Sequence, residues 1–372
     1  MPRLVALDLP GGRPFVDALV RVWERGDAAF PLDQRLPAPI REATLDAMAP
    51  STIIDPSGDE RARAHGRDVD PGDALVVATS GSTGTPKGVV LTHGALAAHA
   101  RAVHARLGTD PATDRWLACL PLAHMGGLGV VVRALVDDVG LDVLPGFSLD
   151  AVRGAPSHLG STLTSLVPTT LDRLGPDHGF RWVVLGGSGD PVDRPASVVR
   201  TYGLTETGGG IYYSHGGLLE GAELRFVDGE IQFGGPTLLR TYRDGTDPRT
   251  SDGWLPTGDL GAWVDGRLVV HGRRTDLIIT GGENVWPTTV EAVLLAHPQV
   301  AEVAVAGRPD PEWGERIVAH VVPVAADDPP TLAALRTWAA DALPPFALPR
   351  ELTLVAALPR TALGKLRRGD LP

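Results

Sequence analysis

Thr79-Ser80-Gly81-Ser82-Thr83-Gly84-Thr85-Pro86-Lys87-Gly88 gathers hydroxyls, glycines and one lysine into a single short stretch. It directly follows the apolar run Ala74-Leu75-Val76-Val77-Ala78, which reads as a buried strand. Val89-Val90-Leu91-Thr92-His93 comes next, and an alanine-rich stretch then predicts a helix over 94–107. Glycine lets the backbone approach an anion closely and aim successive N–H groups at it. Ser80, Ser82, Thr83 and Thr85 add hydroxyl donors, and Lys87 adds a positive charge. The stretch therefore reads as a phosphate cradle. It is not a Walker A loop, because Lys87 lies between Pro86 and Gly88 and does not lead a Ser or Thr into a helix. A plain Gly/Ser surface loop would account for the glycines. It would not account for the threonines, the Pro86-Lys87 pair or the buried strand before them.

The bulk properties narrow the setting. A chain of 372 residues with 43% apolar and 21% charged side chains is long enough for two or three globular domains. A net charge of −11 argues against a general nucleic-acid or anionic-membrane surface. The lone cysteine, Cys119, sits in an apolar run and is expected to be a reduced, buried thiol. No zinc-ligand spacing is present. No segment approaches the ~20 apolar residues of a membrane span, and the first residues lack the apolar core of a signal peptide. A cytoplasmic protein is expected, with no stable membrane insertion.

Read outward from the cradle, the pattern alternates. Strands are expected at 74–78, 116–120, 141–144, 162–167 and 182–185, with helices at 94–107 and 128–136. Strands alternating with helical segments predict an α/β fold with a largely parallel sheet, and functional loops at the carboxyl ends of its strands. Residues 1–72 are poorly punctuated. Helices are expected near 14–25 and 40–48, a loop over 55–71, and no chemical motif stands out. From about 221 to 271 the chain turns β-rich, with hairpin turns at Asp228-Gly229 and Asp265-Gly266. From Arg274 a unit of about a hundred residues reads as α+β: strands at 277–280, 300–306, 317–323 and 352–355, and helices at 288–296 and 331–343. The fold class is thus α/β: a large N-terminal domain over 1–273 made of α/β layers with a small β subdomain, then a small α+β C-terminal domain over 274–372.

Tyr202-Gly203-Leu204-Thr205-Glu206-Thr207 follows a strand-like stretch. Tyr202 can stack on a purine, as aromatic rings do. Thr205 can donate to a phosphate oxygen, and Glu206 is a hard oxygen ligand suited to Mg²⁺ shared with phosphates. Standing alone, the same residues could be a strand end with a capping Thr. Downstream of a phosphate cradle, the nucleotide reading gains weight.

Ser80–Gly88, this signature and the later motifs resemble the adenylate-forming superfamily of acyl-CoA synthetases, luciferases and peptide-synthetase adenylation domains. The resemblance runs from about Asp73 to Lys365. It implies an enzyme using ATP and Mg²⁺, with Thr79, Ser80, Gly81, Ser82, Thr83, Gly84 and Lys87 around the phosphates. Gly186, Gly187 and Ser188 resemble the adenine-pocket turn, joined by Tyr202 and Gly203. Asp259, in Thr257-Gly258-Asp259-Leu260-Gly261, matches the ribose motif, where a carboxylate accepts from vicinal hydroxyls. Arg273 matches the arginine at the ribose and phosphate end. Thr275 stands at the hinge, where Asp or Lys is more usual. Gly281 and Gly282 match the loop that lines the pantetheine tunnel when CoA is the second substrate. Lys365, in Pro359-Arg360-Thr361-Ala362-Leu363-Gly364-Lys365, matches the catalytic lysine of a mobile C-terminal domain. Read alone, these are also a β-turn aspartate, a hairpin turn and a basic tail.

The resemblance makes Lys365, Thr205, Glu206 and His124 the catalytic set, with Glu206 the metal ligand. His124, in Leu122-Ala123-His124-Met125-Gly126-Gly127, matches the mouth of the acyl pocket and is expected to gate or pack against the acid, not to act as a base. Ser165, Thr169, Gly208 and Gly209 join it as acid contacts. These stretches are similar to the o-succinylbenzoate–CoA ligases of menaquinone biosynthesis, whose acid carries a second, non-reacting carboxylate. Their reaction joins the acid to CoA through an acyl-adenylate, releasing pyrophosphate and AMP. Other small acyl- or aryl-CoA ligases, a stand-alone adenylating enzyme and, more remotely, a non-catalytic adenylate-binding protein stay open. The expected partner is a small carboxylic acid, with no nucleic acid; a homodimer stays open. Relative to the superfamily, residues 1–72 and 189–202 look short.

Overall fold

The computed structural model describes residues 1–79, 86–187, 194–360 and 366–372. The chain forms two compact units. One comprises Met1–Arg225 and Gln232–Pro256; the other comprises Phe226–Ile231 and Thr257–Pro372. The second unit thus begins ahead of Arg274, where the sequence suggests a junction, and takes in part of the β-rich stretch.

The first unit holds two seven-stranded sheets. One runs in the order Thr241–Tyr242, Lys87–Thr92, Asp73–Thr79, Ala28–Pro31, Leu4–Leu7, Thr52–Ile54, Glu60–Ala62. Its middle is parallel and both edges are antiparallel. The strands of residues 1–72 are hard to see in the sequence for a physical reason. Leu4–Leu7 and Ala28–Pro31 are buried throughout, so they lack the polar alternation of a half-exposed strand. The region expected as a loop over 55–71 carries a short edge strand, Glu60–Ala62. The expected N-terminal helices form as Arg13–Glu24 and Ala38–Met48.

The second sheet runs Gly217–Leu218, Gly209–Tyr213, Val198–Leu204, Trp182–Leu185, Leu163–Leu166, Arg115–Ala118, Gly140–Val143. It is parallel from Val198–Leu204 to Gly140–Val143 and antiparallel beyond. The expected largely parallel sheet is thus two mixed sheets with parallel centres. Helices His93–Leu107 and Met125–Val136 fall where periodicity placed them. Leu149–His158 and Pro168–Leu174 were not foreseen, because Gly154, Pro156 and Pro168 read as breakers. Leu117, Cys119, Val152, Leu166, Leu171 and Val183 pack these helices on the sheet. Burial pushes the Cys119 thiol up to about 11, so it is inert as expected.

In the second unit Leu255–Val264 pairs antiparallel with Arg267–Arg273. The turn is Asp265-Gly266, both at positive φ, the geometry of a two-residue hairpin. Beyond it lies a five-stranded sheet. Glu283–Val285, Ile278–Thr280, Gly314–Pro323 and Val300–Asp310 lie side by side, and Glu351–Leu354 pairs with Gly314–Pro323. Helices Pro287–Leu295 and Leu332–Ala339 pack Val290, Leu294, Leu335 and Ala339 against Ile317, Ala319 and Val321. No helix of the described residues is long and apolar enough to cross a membrane.

Candidate active site

The cradle is the tip of a hairpin. Asp73–Thr79 and Lys87–Thr92 pair antiparallel, with Thr79 opposite Lys87, and the Thr79 hydroxyl donates to the Lys87 carbonyl at 3.3 Å. Ser80, Gly81, Ser82, Thr83 and Gly84 lie outside the described residues, as do Ser188 and Lys365.

Lys87 is exposed, and its Nζ sits 5.0 Å from the centre of the Tyr242 ring. The Tyr242 hydroxyl donates to Glu206 Oε1 at 3.0 Å. The structure therefore brings the cradle lysine and the expected metal ligand to opposite sides of one tyrosine. Tyr242 carried no sequence signal, since it belongs to a two-residue edge strand. It is clamped from both sides. Arg240 binds Asp73 through two bonds of 2.7 and 2.8 Å and pairs with Asp70 at 2.7 Å. Arg243 donates to the backbone carbonyls of Met48, Ala49, Arg67 and Asp68.

Glu206 rides on a single 3-10 turn, Thr205–Thr207, at the end of Val198–Leu204. Buried Thr207 ties that turn together. Its hydroxyl accepts from Leu204 N–H at 2.8 Å and bonds the carbonyls of Leu204 and Gly209 at 2.9 and 2.6 Å. A Cβ on Gly203 would lie 2.2 Å from the Gly209 carbonyl oxygen, so only glycine fits there. Tyr202, just before it, lays its ring against Phe233 at 5.5 Å. Gly186 and Gly187 follow the Trp182–Leu185 strand, with Gly186 N–H donating to Leu166 O at 3.0 Å.

At the acid end, His124 precedes the Met125–Val136 helix, and its Nε2 lies 3.0 Å from Asp33 Oδ2. Asp33 also takes two bonds from Arg35, at 2.8 and 2.7 Å. Burial alone would raise the Asp33 carboxyl, but the bonds from Arg35 and His124 outweigh it and hold it well below the usual carboxylate range. The stretch that seemed to lack chemistry thus supplies the partner of His124.

Two turns along the same helix stands Arg133, which sequence reasoning also missed. It is 5% exposed. Its Nη2 donates to Ser165 Oγ at 2.9 Å, and its guanidinium lies 4.5 Å from the Trp116 ring centre. Its Nε has no hydrogen-bond partner, and no carboxylate among the described residues pairs with it. Burial presses its pKa below the ordinary value. Behind the Gly208–Gly210 turn, His99 Nε2 meets Gly210 O at 3.0 Å. Burial, and then the charge of Arg133, push His99 down to about 4. Ser165 thus bonds Arg133 directly, whereas Gly208 and Gly209 lie against His99, which feels the Arg133 charge. Thr169 does not join them; it is exposed on the Pro168–Leu174 helix, whose first turn is organised by Thr170.

In the second unit the expected ribose and phosphate residues are cross-strand neighbours. Asp259 stands opposite Arg273, whose Nε meets its Oδ1 at 2.8 Å, while Arg273 Nη1 donates to Thr257 O at 2.9 Å. Gly281 and Gly282 form a two-residue hairpin turn, both at positive φ, and a Cβ on Gly281 would lie 2.9 Å from the Trp313 ring.

Among the described residues no three His, Cys, Asp or Glu side chains cluster as metal ligands. Glu206 is a hard oxygen ligand, of the type that holds Mg²⁺ together with nucleotide phosphates.

The AMP-binding enzyme family model matches residues 31–242, and the AMP-binding enzyme C-terminal domain model matches 289–365. A probable 2-succinylbenzoate–CoA ligase of Mycobacterium tuberculosis is 39% identical over 363 residues, 90% of this chain and 93% of the relative. A 2-succinylbenzoate–CoA ligase of Bacillus anthracis is 35% identical over 336 residues, 80% of this chain and 69% of the relative. The o-succinylbenzoate CoA synthetase of Bacillus subtilis, solved with its acyl-adenylate intermediate, superposes with a TM-score of 0.85 at 28% identity, over 99% of this chain and 87% of that one. Its complex with ATP and a magnesium ion gives 0.86 at 28% identity, over 99% and 89%.

Proposed function

Because the chain belongs to the AMP-binding, adenylate-forming enzyme family, we propose that it is an AMP-forming acid–CoA ligase acting on 2-succinylbenzoate, with ATP, Mg²⁺ and CoA. In the first half-reaction a carboxylate oxygen attacks the α-phosphorus of ATP. The bond to the bridging oxygen breaks, and pyrophosphate leaves. In the second, the CoA sulfur attacks the acyl carbon, the acyl–oxygen bond breaks, AMP departs and the thiol proton is released to solvent.

The residues divide these tasks. Lys87 offers charge to the leaving phosphates. Thr205 donates to the α-phosphate, and Glu206, steadied by Tyr242, is positioned as a metal ligand. Bound Mg²⁺ would neutralise phosphate charge. Tyr202 offers a ring face to the adenine. Asp259 and Arg273 set an acceptor and a donor side by side, as a ribose and its phosphate require. Lys365 supplies the ammonium that neutralises the two anions as they meet. A lysine needed there for adenylation is in the way of the thiol afterwards, so a hinge near Thr275 withdraws it. Lys365→Ala is then expected to lose pyrophosphate release while still transferring a preformed acyl-adenylate to CoA. Equal loss of both steps would count against alternation.

The observation that carries the choice of acid is Arg133. A buried guanidinium with no carboxylate partner is costly, and a ligand anion offsets that cost. An acid with a second, non-reacting carboxylate supplies that anion beside Ser165. The test is pyrophosphate release with ATP, Mg²⁺ and CoA, comparing 2-succinylbenzoate with benzoate, a medium-chain fatty acid and amino acids. Turnover confined to 2-succinylbenzoate, giving a CoA thioester, supports the assignment. Faster turnover of another acid overturns it, and pyrophosphate release independent of CoA with transfer to a carrier protein would point to an adenylating enzyme instead. The small-molecule chemistry needs no membrane, and fractionation is expected to recover the enzyme with the cytoplasm.

A further inference from the structure

The charge on Arg133 is kept available by its surroundings. Asp137 lies four residues further on, at the C-cap of the same helix, where an Arg and an Asp ordinarily pair. It does not pair with Arg133. Asp137 Oδ2 lies 2.6 Å from His104 Nδ1, and Arg101 approaches its other oxygen at 3.7 Å. His104 Nε2 in turn lies 3.1 Å from the indole Nε1 of Trp116.

The proton inventory fixes the direction of both bonds. Trp116 Nε1 can only donate, so His104 Nε2 must be the bare nitrogen. The ring proton then sits on Nδ1 and is donated to Asp137. His104 is neutral, with both nitrogens engaged, and Trp116 is fully buried with its ring rotation set by that bond. The face of this ring supports the Arg133 guanidinium at 4.5 Å.

We propose that Asp137, His104 and Trp116 form a positioning chain that keeps Arg133 aimed at the second carboxylate of a dicarboxylic acid, and that His104 is thereby a specificity-determining residue. It acts twice. It orients the indole on which Arg133 rests, and it occupies the one carboxylate that would otherwise neutralise Arg133 from its own helix. This rests on the assignment of Arg133 to the acid site made above.

The test uses the full-length enzyme with 2-succinylbenzoate, a panel of other aromatic dicarboxylates, and the two monocarboxylates obtained by removing either carboxylate of 2-succinylbenzoate. The readout is the ratio of kcat/KM for the best dicarboxylate to that for the better monocarboxylate. His104→Leu is expected to lower this ratio about tenfold or more, chiefly through KM for the dicarboxylate, as a displaced binding group does. Adding Asp137→Asn to His104→Leu should recover part of the ratio, because the competing carboxylate is gone. A merely structural role predicts the opposite: equal losses for both acids and a double variant worse than either single one. Trp116→Phe keeps an aromatic face and loses the N–H, at the cost of the small cavity the lost pyrrole part leaves, and should lower the ratio; it decides the matter if His104→Leu fails to fold. A wild type that prefers some other dicarboxylate overturns the 2-succinylbenzoate reading and leaves this inference standing. A wild type that turns over a monocarboxylate equally well overturns the inference itself, as does an unchanged ratio in Trp116→Phe.

Discussion

A buried charge with no carboxylate partner among the described residues is the clearest sign of function at the level of single residues. Arg133 costs stability where it stands, so its loss should separate stability from activity. Arg133→Met keeps most of the volume and is expected to raise stability by about 1–3 kcal/mol in denaturant titration. The same variant should lose roughly a hundredfold in kcat/KM for 2-succinylbenzoate, the scale of a broken charged contact. A less stable and equally active variant would contradict the assignment. Tyr242 acts differently. Its hydroxyl holds one oxygen of Glu206 while its ring lies against Lys87, so it keeps a carboxylate and an ammonium from collapsing into an ion pair. Tyr242→Phe is expected to weaken Mg²⁺–ATP binding about tenfold by calorimetry, as losses behind a metal ligand commonly do, with ATP binding in EDTA much less affected. Tyr202, Glu206, Asp259 and Arg273 could be proposed from the sequence because each sits in a short motif whose residue types suit a nucleotide. Arg133, Tyr242, Asp33 and His104 were not. Their meaning comes from partners 12 to 91 positions away, such as Trp116 for His104 and His124 for Asp33.

The same distinction runs through the elements. Helices His93–Leu107 and Met125–Val136 could be read from periodicity, and the hairpin at Asp265-Gly266 from its turn residues. Leu4–Leu7 and Ala28–Pro31 could not, since a strand buried on both faces has no polar phase to read. On the proposed function, the element on which the chemistry most depends is the turn from Gly203 to Gly210. Thr207 knots it by accepting from Leu204 N–H and donating its single hydroxyl proton between the Leu204 and Gly209 carbonyls, and His99 supports it from behind. It presents Thr205 and Glu206 on one side of the knot and the Gly208–Gly209 backbone on the other. Gly203→Ala forces a methyl against the Gly209 carbonyl, a backbone atom that cannot step aside. The expected cost is about 1–3 kcal/mol of stability, as for other overpacking. Pyrophosphate release should fall far more than the folded fraction does, because Glu206 moves with the turn. Retained activity in a folded Gly203→Ala protein would show that the turn tolerates a register change and does not set the position of Glu206.

For the molecule as a whole, the buried histidines set the acid limit. Burial and the charge of Arg133 bring His99 down to about 4, from an ordinary value near 6.5. Burial lowers His104, His178 and His320 as well. Between pH 6.5 and 4 the unfolded chain therefore takes up protons that the folded chain refuses, and stability falls as pH falls. The contribution of His99 is complete above its unfolded pKa and lost progressively down to its folded one. It amounts to about 3 kcal/mol across that window. Asp33 adds little there, since its contribution is lost only as pH falls below the ordinary carboxyl value of 3.8, under the window. Urea titrations at stepped pH should show unfolding free energy dropping from neutral pH toward 4.5. His99→Gln can still donate to the Gly210 carbonyl but cannot take up a proton, so it should flatten the largest single part of that slope. An equally steep slope in His99→Gln would mean that His99 is protonated in the folded protein. The charge of Arg133 would then not reach it, and the Gly208–Gly210 turn would lose its neutral support.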